Sequence, residues 1–257
     1  MIIIIVFDAD NFSLQIWHIR SSFFCSLSVA VFQMNDGLVC SGGMDKMVRI
    51  WNVRTGANIK TFAGHDDSIF NLFGLSDGRL VSGSADRTLR VWNLTTSRCE
   101  QIIKGHTDAV QFSLLLWDGT ICTASWDTTL RIFNANSGET IRIFKGHTDK
   151  ALQVTQIADG RICSTSLDTT IRIWNTKTGN CEQILTGHTI NSRWTVQIMN
   201  GQLVSCSKDR TIRFWDLQTG KTVKTLTGHT DYVRCLLLLA DDRIVSGSDD
   251  TTMRVWG

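Results

Sequence analysis

Histidine, serine and aspartate recur together along this chain, and those residue types build hydrolytic triads. His65, Ser82 and Asp86 form one such set; His147, Ser164 and Asp168 form a second; His188, Ser205 and Asp209 a third; His229, Ser246 and Asp250 a fourth. Triad chemistry needs a single exposed serine, activated by the imidazole and set beside oxyanion donors. Four copies at identical spacing read instead as a structural device, so no catalytic residue is assigned. Five histidines spaced 41 residues apart do not converge on a metal either, because each belongs to a separate copy. The sixth, His18, is uninformative. The eight cysteines include no CxxC pair, and Cys40, Cys122 and Cys163 recur at nearly equivalent apolar places. Cys99 and Cys181 lie two copies apart. They read as reduced core thiols in a cytoplasmic or nuclear protein. No acid pair, metal cluster or phosphate-cradling glycine loop stands outside the pattern, and no cofactor or metal is expected.

The elements that carry these residues follow from the period. Gly-His dipeptides stand at Gly64-His65, Gly105-His106, Gly146-His147, Gly187-His188 and Gly228-His229. Aspartates keep the same interval at positions 45, 86, 127, 168, 209 and 250, and six residues beyond each lies an aromatic: Trp51, Trp92, Phe133, Trp174, Trp215 or Trp256. Within one unit, runs at 68–75, 79–82, 88–92 and 99–103 are rich in β-branched and aromatic residues and separated by Asp-Gly, Ala-Asp and Thr-Ser turn signals. Each unit is therefore a four-stranded antiparallel sheet. One such sheet cannot bury both faces, so neighbouring sheets must stack, and a ring of them leaves only short, protected edges.

Composition agrees with this organisation. Of 257 residues, 42% are hydrophobic and 19% charged, a balance that buries a core and argues against disorder. The formal net charge of +2, with both signs interleaved, gives no reason to expect nucleic acid or an anionic membrane as partner. The apolar opening 1–7 is too short for a membrane span or a signal core and reads as a strand. With no proline and no Gly/Ser or charged run to mark a linker, residues 1–257 read as one domain: N-terminal strands over 1–22, then repeats 23–63, 64–104, 105–145, 146–186, 187–227 and 228–257.

The segment GHTDYVRCLLLLADDRIVSGSDDTTMRVW, residues 228–256, resembles the WD40 repeat, and the resemblance covers most of the chain. Only Trp215-Asp216 is the literal dipeptide; Asn52, Asn93, Asn134 and Asn175 stand in the Asp place. The resemblance implies an all-β fold, a WD40-type β-propeller of four-stranded blades. It also implies a hydrogen-bonded chain of His, Ser/Thr, Asp and Trp in each blade, matched by the four sets above together with Trp92, Trp174, Trp215 and Trp256. Two repeats depart. His106, Thr123 and Asp127 are followed by Phe133, which has no indole donor, so that network should stop short or use water. The first repeat has Phe23-Phe24 in place of Gly-His and should be the least regular. Six blades are favoured, with the strand around Trp17 completing the last one; a third-strand likeness of Leu14, Ile16 and Trp17 keeps seven open.

The His loop and the Asp turn fall at one end of every blade, where related propellers bind peptides. Three positions per repeat should reach that face: the third and fifth after the His place and the one before the Asp. They are Leu27, Val29 and Met44; Ser68, Phe70 and Ala85; Ala109, Gln111 and Trp126; Lys150, Leu152 and Leu167; Asn191, Arg193 and Lys208; and Tyr232, Arg234 and Asp249. Exposed aromatics (Phe70, Trp126, Tyr232) and a basic arc (Lys150, Arg193, Lys208, Arg234) stand out, and these residue types dominate binding hot spots. They suggest a non-catalytic scaffold for protein or peptide partners that are acidic or phosphorylated. The alternative is a substrate-reading propeller of a ubiquitin ligase, because residues 77–93 are similar to repeats of F-box/WD proteins; an enzyme is the remote third reading. Arg49, Arg90, Arg131, Arg172, Arg213 and Arg254 recur in every third strand and read as part of the fold.

Overall fold

The computed structural model describes residues 2–8, 13–19, 28–34 and 38–257. The chain divides into two compact units, residues 1–121 with 133–140, and residues 122–132 with 141–257. The division runs inside the third repeat, whose strands are Val110–Leu115, Ile121–Ser125, Leu130–Phe133 and Thr140–Phe144.

The first unit contains two complete antiparallel sheets. One is formed by Ser28–Gln33, Leu38–Gly43, Val48–Asn52 and Asn58–Phe62, and the other by Ile69–Gly74, Leu80–Ser84, Leu89–Asn93 and Arg98–Ile103. The second unit holds Ala151–Gln156, Ile162–Ser166, Ile171–Trp174 and Cys181–Leu185 as one sheet. A second sheet there is Ser192–Gln197, Leu203–Ser207, Ile212–Trp215 and Thr222–Leu226, and Val233–Leu238, Ile244–Ser248 and Met253–Trp256 make a three-stranded third. Second strands such as Leu80–Ser84 and Ile162–Ser166 are buried at every residue, which is why they are built from small and β-branched side chains. Fourth strands are the most exposed; Cys181–Leu185 buries Leu185 and exposes Glu182 and Ile184. In the first unit Phe62, Ile69, Leu72, Leu80 and Trp92 share one cluster across the two sheets. In the second, Ile157, Cys163, Ile173 and Leu185 pack with Leu203 and Trp215 in the same way. Each sheet thus buries its faces on its neighbour, as the apolar pattern requires.

Turn chemistry explains the regular register. In the turn after each second strand, the residue following the constant Asp is left-handed although it is not glycine: Lys46, Arg87, Thr128, Thr169, Arg210 and Thr251 have φ between 67° and 73°. The Asp side chain accepts the amide two residues on, as Asp86 Oδ1 does from Thr88 at 3.0 Å, and so holds a conformation that costs energy elsewhere.

One expectation is corrected. Ser13–Ile19 was to complete the last sheet; it pairs instead with Ile2–Asp8 in uninterrupted antiparallel register from Ile2↔Ile19 to Asp8↔Ser13. The run of β-branched residues at 2–6 supplies a strong, nearby strand partner. Ile2–Asp8 lies beside Ser28–Gln33, and this hairpin is separate from the six repeat sheets. The described strands of the first repeat, expected to be the least regular, keep the register shifts of the others, between Ser28 and Ala30 and between Ile50 and Trp51, while its histidine place lies outside the described residues. Phe23, Phe24 and Leu27 lie outside the described residues.

Candidate functional site

The repeated His, Ser, Asp and Trp are bonded to one another within each of four repeats. His65 Nδ1 lies 2.6 Å from Asp86 Oδ2, its Nε2 lies 2.6 Å from Ser82 Oγ, and Trp92 Nε1 donates to the same Oγ at 2.8 Å. The sets of His147, His188 and His229 repeat these contacts at 2.7–2.8 Å. An ionised carboxylate only accepts, so Nδ1 carries the proton, Nε2 accepts from serine, and serine accepts from the indole: every donor points toward the aspartate. That carboxylate also receives the backbone amide after the histidine and the Thr amide and hydroxyl, as Asp168 does from Thr148 and Thr170. Burial alone would raise its pKa, yet these donors hold Asp86, Asp168, Asp209 and Asp250 well below the usual carboxylate range. Ser82, Ser164, Ser205 and Ser246 are completely buried, so none presents a nucleophile.

The two incomplete sets resolve differently. In the first repeat Trp51 Nε1 still donates to Ser41 Oγ at 2.8 Å, and Arg49 takes the place of histidine on Asp45. In the third, the Thr123 hydroxyl donates to the Arg131 carbonyl at 3.2 Å, while Phe133 keeps the ring contact, its centroid 6.1 Å from that of His106. The recurrent third-strand arginines are packed into the repeat. A Cβ added at Gly146, whose φ is +155°, would lie 2.8 Å from Arg172 Nη1 and 3.2 Å from the Trp174 ring; the glycine of Gly-His is what lets that stack close. Among the described residues no group of three His, Cys, Asp or Glu is arranged to hold a metal ion. None of the seven described cysteines forms a disulfide, and burial pushes the Cys163 thiol up to about 12.

The variable positions meet at the same end of each repeat through the backbone. The amide before the constant Asp donates to the carbonyl three residues past the histidine: Ala85 to Ser68, Leu167 to Lys150, Lys208 to Asn191 and Asp249 to Tyr232, at 2.9–3.2 Å. The fifth position past the histidine is a β-bulge. Ile69 pairs with Ser84 and Asn71 with Gly83, so the register shifts at Phe70, and it shifts at Leu152, Arg193 and Arg234 in the same way. A bulge re-aims its side chain out of the strand's alternation.

Not every expected residue reaches the surface. Ala109, Leu152 and Asn191 are buried, the last of them bonded to the Tyr232 hydroxyl, which donates to Asn191 Oδ1 at 2.7 Å. Phe70, Trp126 and Tyr232 are half-buried rather than exposed. The basic arc separates into two groups within the second unit. Lys150 Nζ sits 3.9 Å from the centroid of the Trp126 ring. Arg193, Lys208 and Arg234 gather around Tyr232 and Asp249: Lys208 Nζ and Arg234 Cζ lie 4.9 and 4.7 Å from the Tyr232 centroid, and Asp249 holds both arms of the Arg234 fork. That bond holds the Asp249 carboxyl below its ordinary range, against some burial, with Arg193 and Lys208 adding to the effect. Arg193 has the opposite situation. Burial and then the Arg234 charge press its pKa below the ordinary guanidinium value, and among the described residues it has no hydrogen-bonded or ion-paired acceptor.

One feature was missed in the sequence. Gln153 Oε1 accepts the amide and hydroxyl of Thr195 in the next repeat at 3.2 and 2.8 Å, and Asn71 Oδ1 accepts those of Ser113 at 3.1 and 2.6 Å. The signal was an amide residue six past one histidine matched by a hydroxyl seven past the next.

The family described as WD40, WD domain, G-beta repeat matches residues 13–52, 56–93, 97–134, 138–175, 179–216 and 220–257. Among solved structures, the chain is similar to the WD40 β-propeller domain of Doa1, at 25% sequence identity and a TM-score of 0.77, over 89% of this chain and 77% of that one. No curated protein sequence matches.

Proposed function

The chain belongs to the WD40 repeat family of β-propellers, which generally serve as protein-interaction scaffolds, and from that premise we propose that it binds acidic or phosphorylated peptide segments at the bulged end of its repeats. The observation that carries this reading is Arg193, a half-buried guanidinium at a bulge, beside two further cations and without an acceptor of its own. Cations gathered this closely repel one another, and an anionic side chain from a partner relieves that repulsion through charge-assisted bonds. The half-buried Tyr232 and Trp126 rings supply apolar area beside the charges.

Titration of wild type, Arg193→Gln and Arg234→Glu against an acidic peptide array tests it. Both variants should lose binding, and wild-type binding should weaken with added salt. Equal binding by all three, or binding by none, overturns the reading.

A further inference from the structure

The charged cluster around Tyr232 already contains one anion. Asp249 accepts from Arg234 Nε at 2.7 Å and from Nη2 at 2.6 Å, filling the planar fork through which a guanidinium grips a carboxylate or a phosphoryl group. Both side chains are open to solvent, 50% exposed for Arg234 and 36% for Asp249, so the pair can part without disturbing the core. The Asp249 main chain is held separately, its amide donating to the Tyr232 carbonyl at 2.9 Å. Three cations therefore surround a single carboxylate: Arg234 bonds it, Lys208 faces the Tyr232 ring, and Arg193 has no acceptor among the described residues.

We propose that Asp249 is an internal pseudo-ligand: its carboxylate holds the Arg234 fork in the free protein and yields it to an anionic side chain of the bound segment, which Arg193 engages at the same time. This inference rests on the peptide-binding reading above and gives Asp249 the role of competitor rather than contact. Exchanging one anion for another leaves Arg234 paired throughout, so the net gain comes from Arg193, and segments too weakly charged to satisfy it do not displace Asp249.

The test uses the full chain and two fluorescent peptides, a glycine-flanked run of glutamates and the same run with phosphoserine in place of glutamate. Asp249→Asn should bind both about three- to five-fold more tightly than wild type, the factor expected for removing a solvent-exposed competing ion pair. Asp231→Asn is the control, since Asp231 carries the same charge nearby but accepts the Tyr232 amide instead of holding Arg234. It should stay within about two-fold of wild type, and adding Arg193→Gln to Asp249→Asn should abolish the gain. Equal tightening by Asp231→Asn and Asp249→Asn would reduce the effect to a general field and overturn the pseudo-ligand, as would weaker binding by Asp249→Asn. If wild type binds and Arg193→Gln does not, while Asp249→Asn is unchanged, the pseudo-ligand alone fails. If neither wild type nor Asp249→Asn binds either peptide, the peptide-binding reading fails with it. A larger gain for the phosphoserine peptide identifies phosphoryl groups as the preferred anion, and a larger gain for the glutamate peptide identifies carboxylates.

Discussion

Replacing Ser82 by alanine removes the acceptor of Trp92 Nε1 at 2.8 Å and the partner of His65 Nε2 at 2.6 Å in one step. Ser82 is 0% exposed and Trp92 2%, so solvent does not replace either bond. Each stranded buried group costs about 1–3 kcal/mol, which places Ser82→Ala at roughly 2–4 kcal/mol once some relaxation is allowed. Trp92→Phe, the residue the third repeat carries naturally as Phe133, loses the indole bond and some volume. On that background Ser82→Ala strands only the histidine nitrogen and should cost roughly 1–2 kcal/mol. The two substitutions together should therefore destabilise less than the sum of the singles, by about 1–2 kcal/mol, in urea unfolding read by far-UV circular dichroism at unchanged m value. Additivity within about 0.5 kcal/mol would refute the claim that the serine is the shared node of the set.

Three other outcomes follow from the geometry. The depressed carboxyls of the four Asp residues contribute stability that is complete above the unfolded-state value, about pH 4, and is lost as pH falls toward the folded-state values. Asp168→Asn should lower stability at pH 7 and flatten the acid limb of a pH-dependent melting series; an unchanged limb counts against the assignment. Gly146→Ala, which drives a Cβ against Arg172 and Trp174, should cost more than Gly160→Ala, where φ is +87° but nothing lies within 4 Å. The latter should lose about 1 kcal/mol, and equal melting shifts would show that the stack yields freely. Thr195→Val keeps the shape but removes the hydroxyl donated to Gln153, and should cost about 1–2 kcal/mol in chemical unfolding, with no loss meaning that the clasp is already satisfied by the amide.

The sequence made the repeat legible because period and turn chemistry reinforce each other. The constant Asp both holds the left-handed residue after it and accepts from histidine, so its interval had to be strict. What escaped were features that depend on which residue is neighbour to which. Arg49 replacing histidine on Asp45 leaves no mark on spacing, since arginine occupies that place in every repeat. The bulge at Phe70, Leu152, Arg193 and Arg234 cannot be seen in apolar alternation, because the register shift leaves the composition of the strand unchanged. The burial of Asn191 follows from its bond to Tyr232 in the next repeat, and the basic arc divided because Lys150 found the Trp126 ring and Arg234 found Asp249. The partner of Ser13–Ile19 was mistaken because strand propensity does not name a partner, and the nearest one at 2–8 prevailed.

The register shift at the bulge bears on how such a chain can be rewritten. A residue facing a cross-strand neighbour must suit that neighbour, and a change there is felt through the ladder. The bulged position is relieved of that one constraint, and phenylalanine, leucine and two arginines occupy it here while the flanking register stays the same. Where it is also open to solvent, as at Arg234, the side chain can be exchanged on a fixed frame. At Leu152, which is buried, packing still restricts the choice, so position 234 rather than 152 is where such a chain tolerates rewriting.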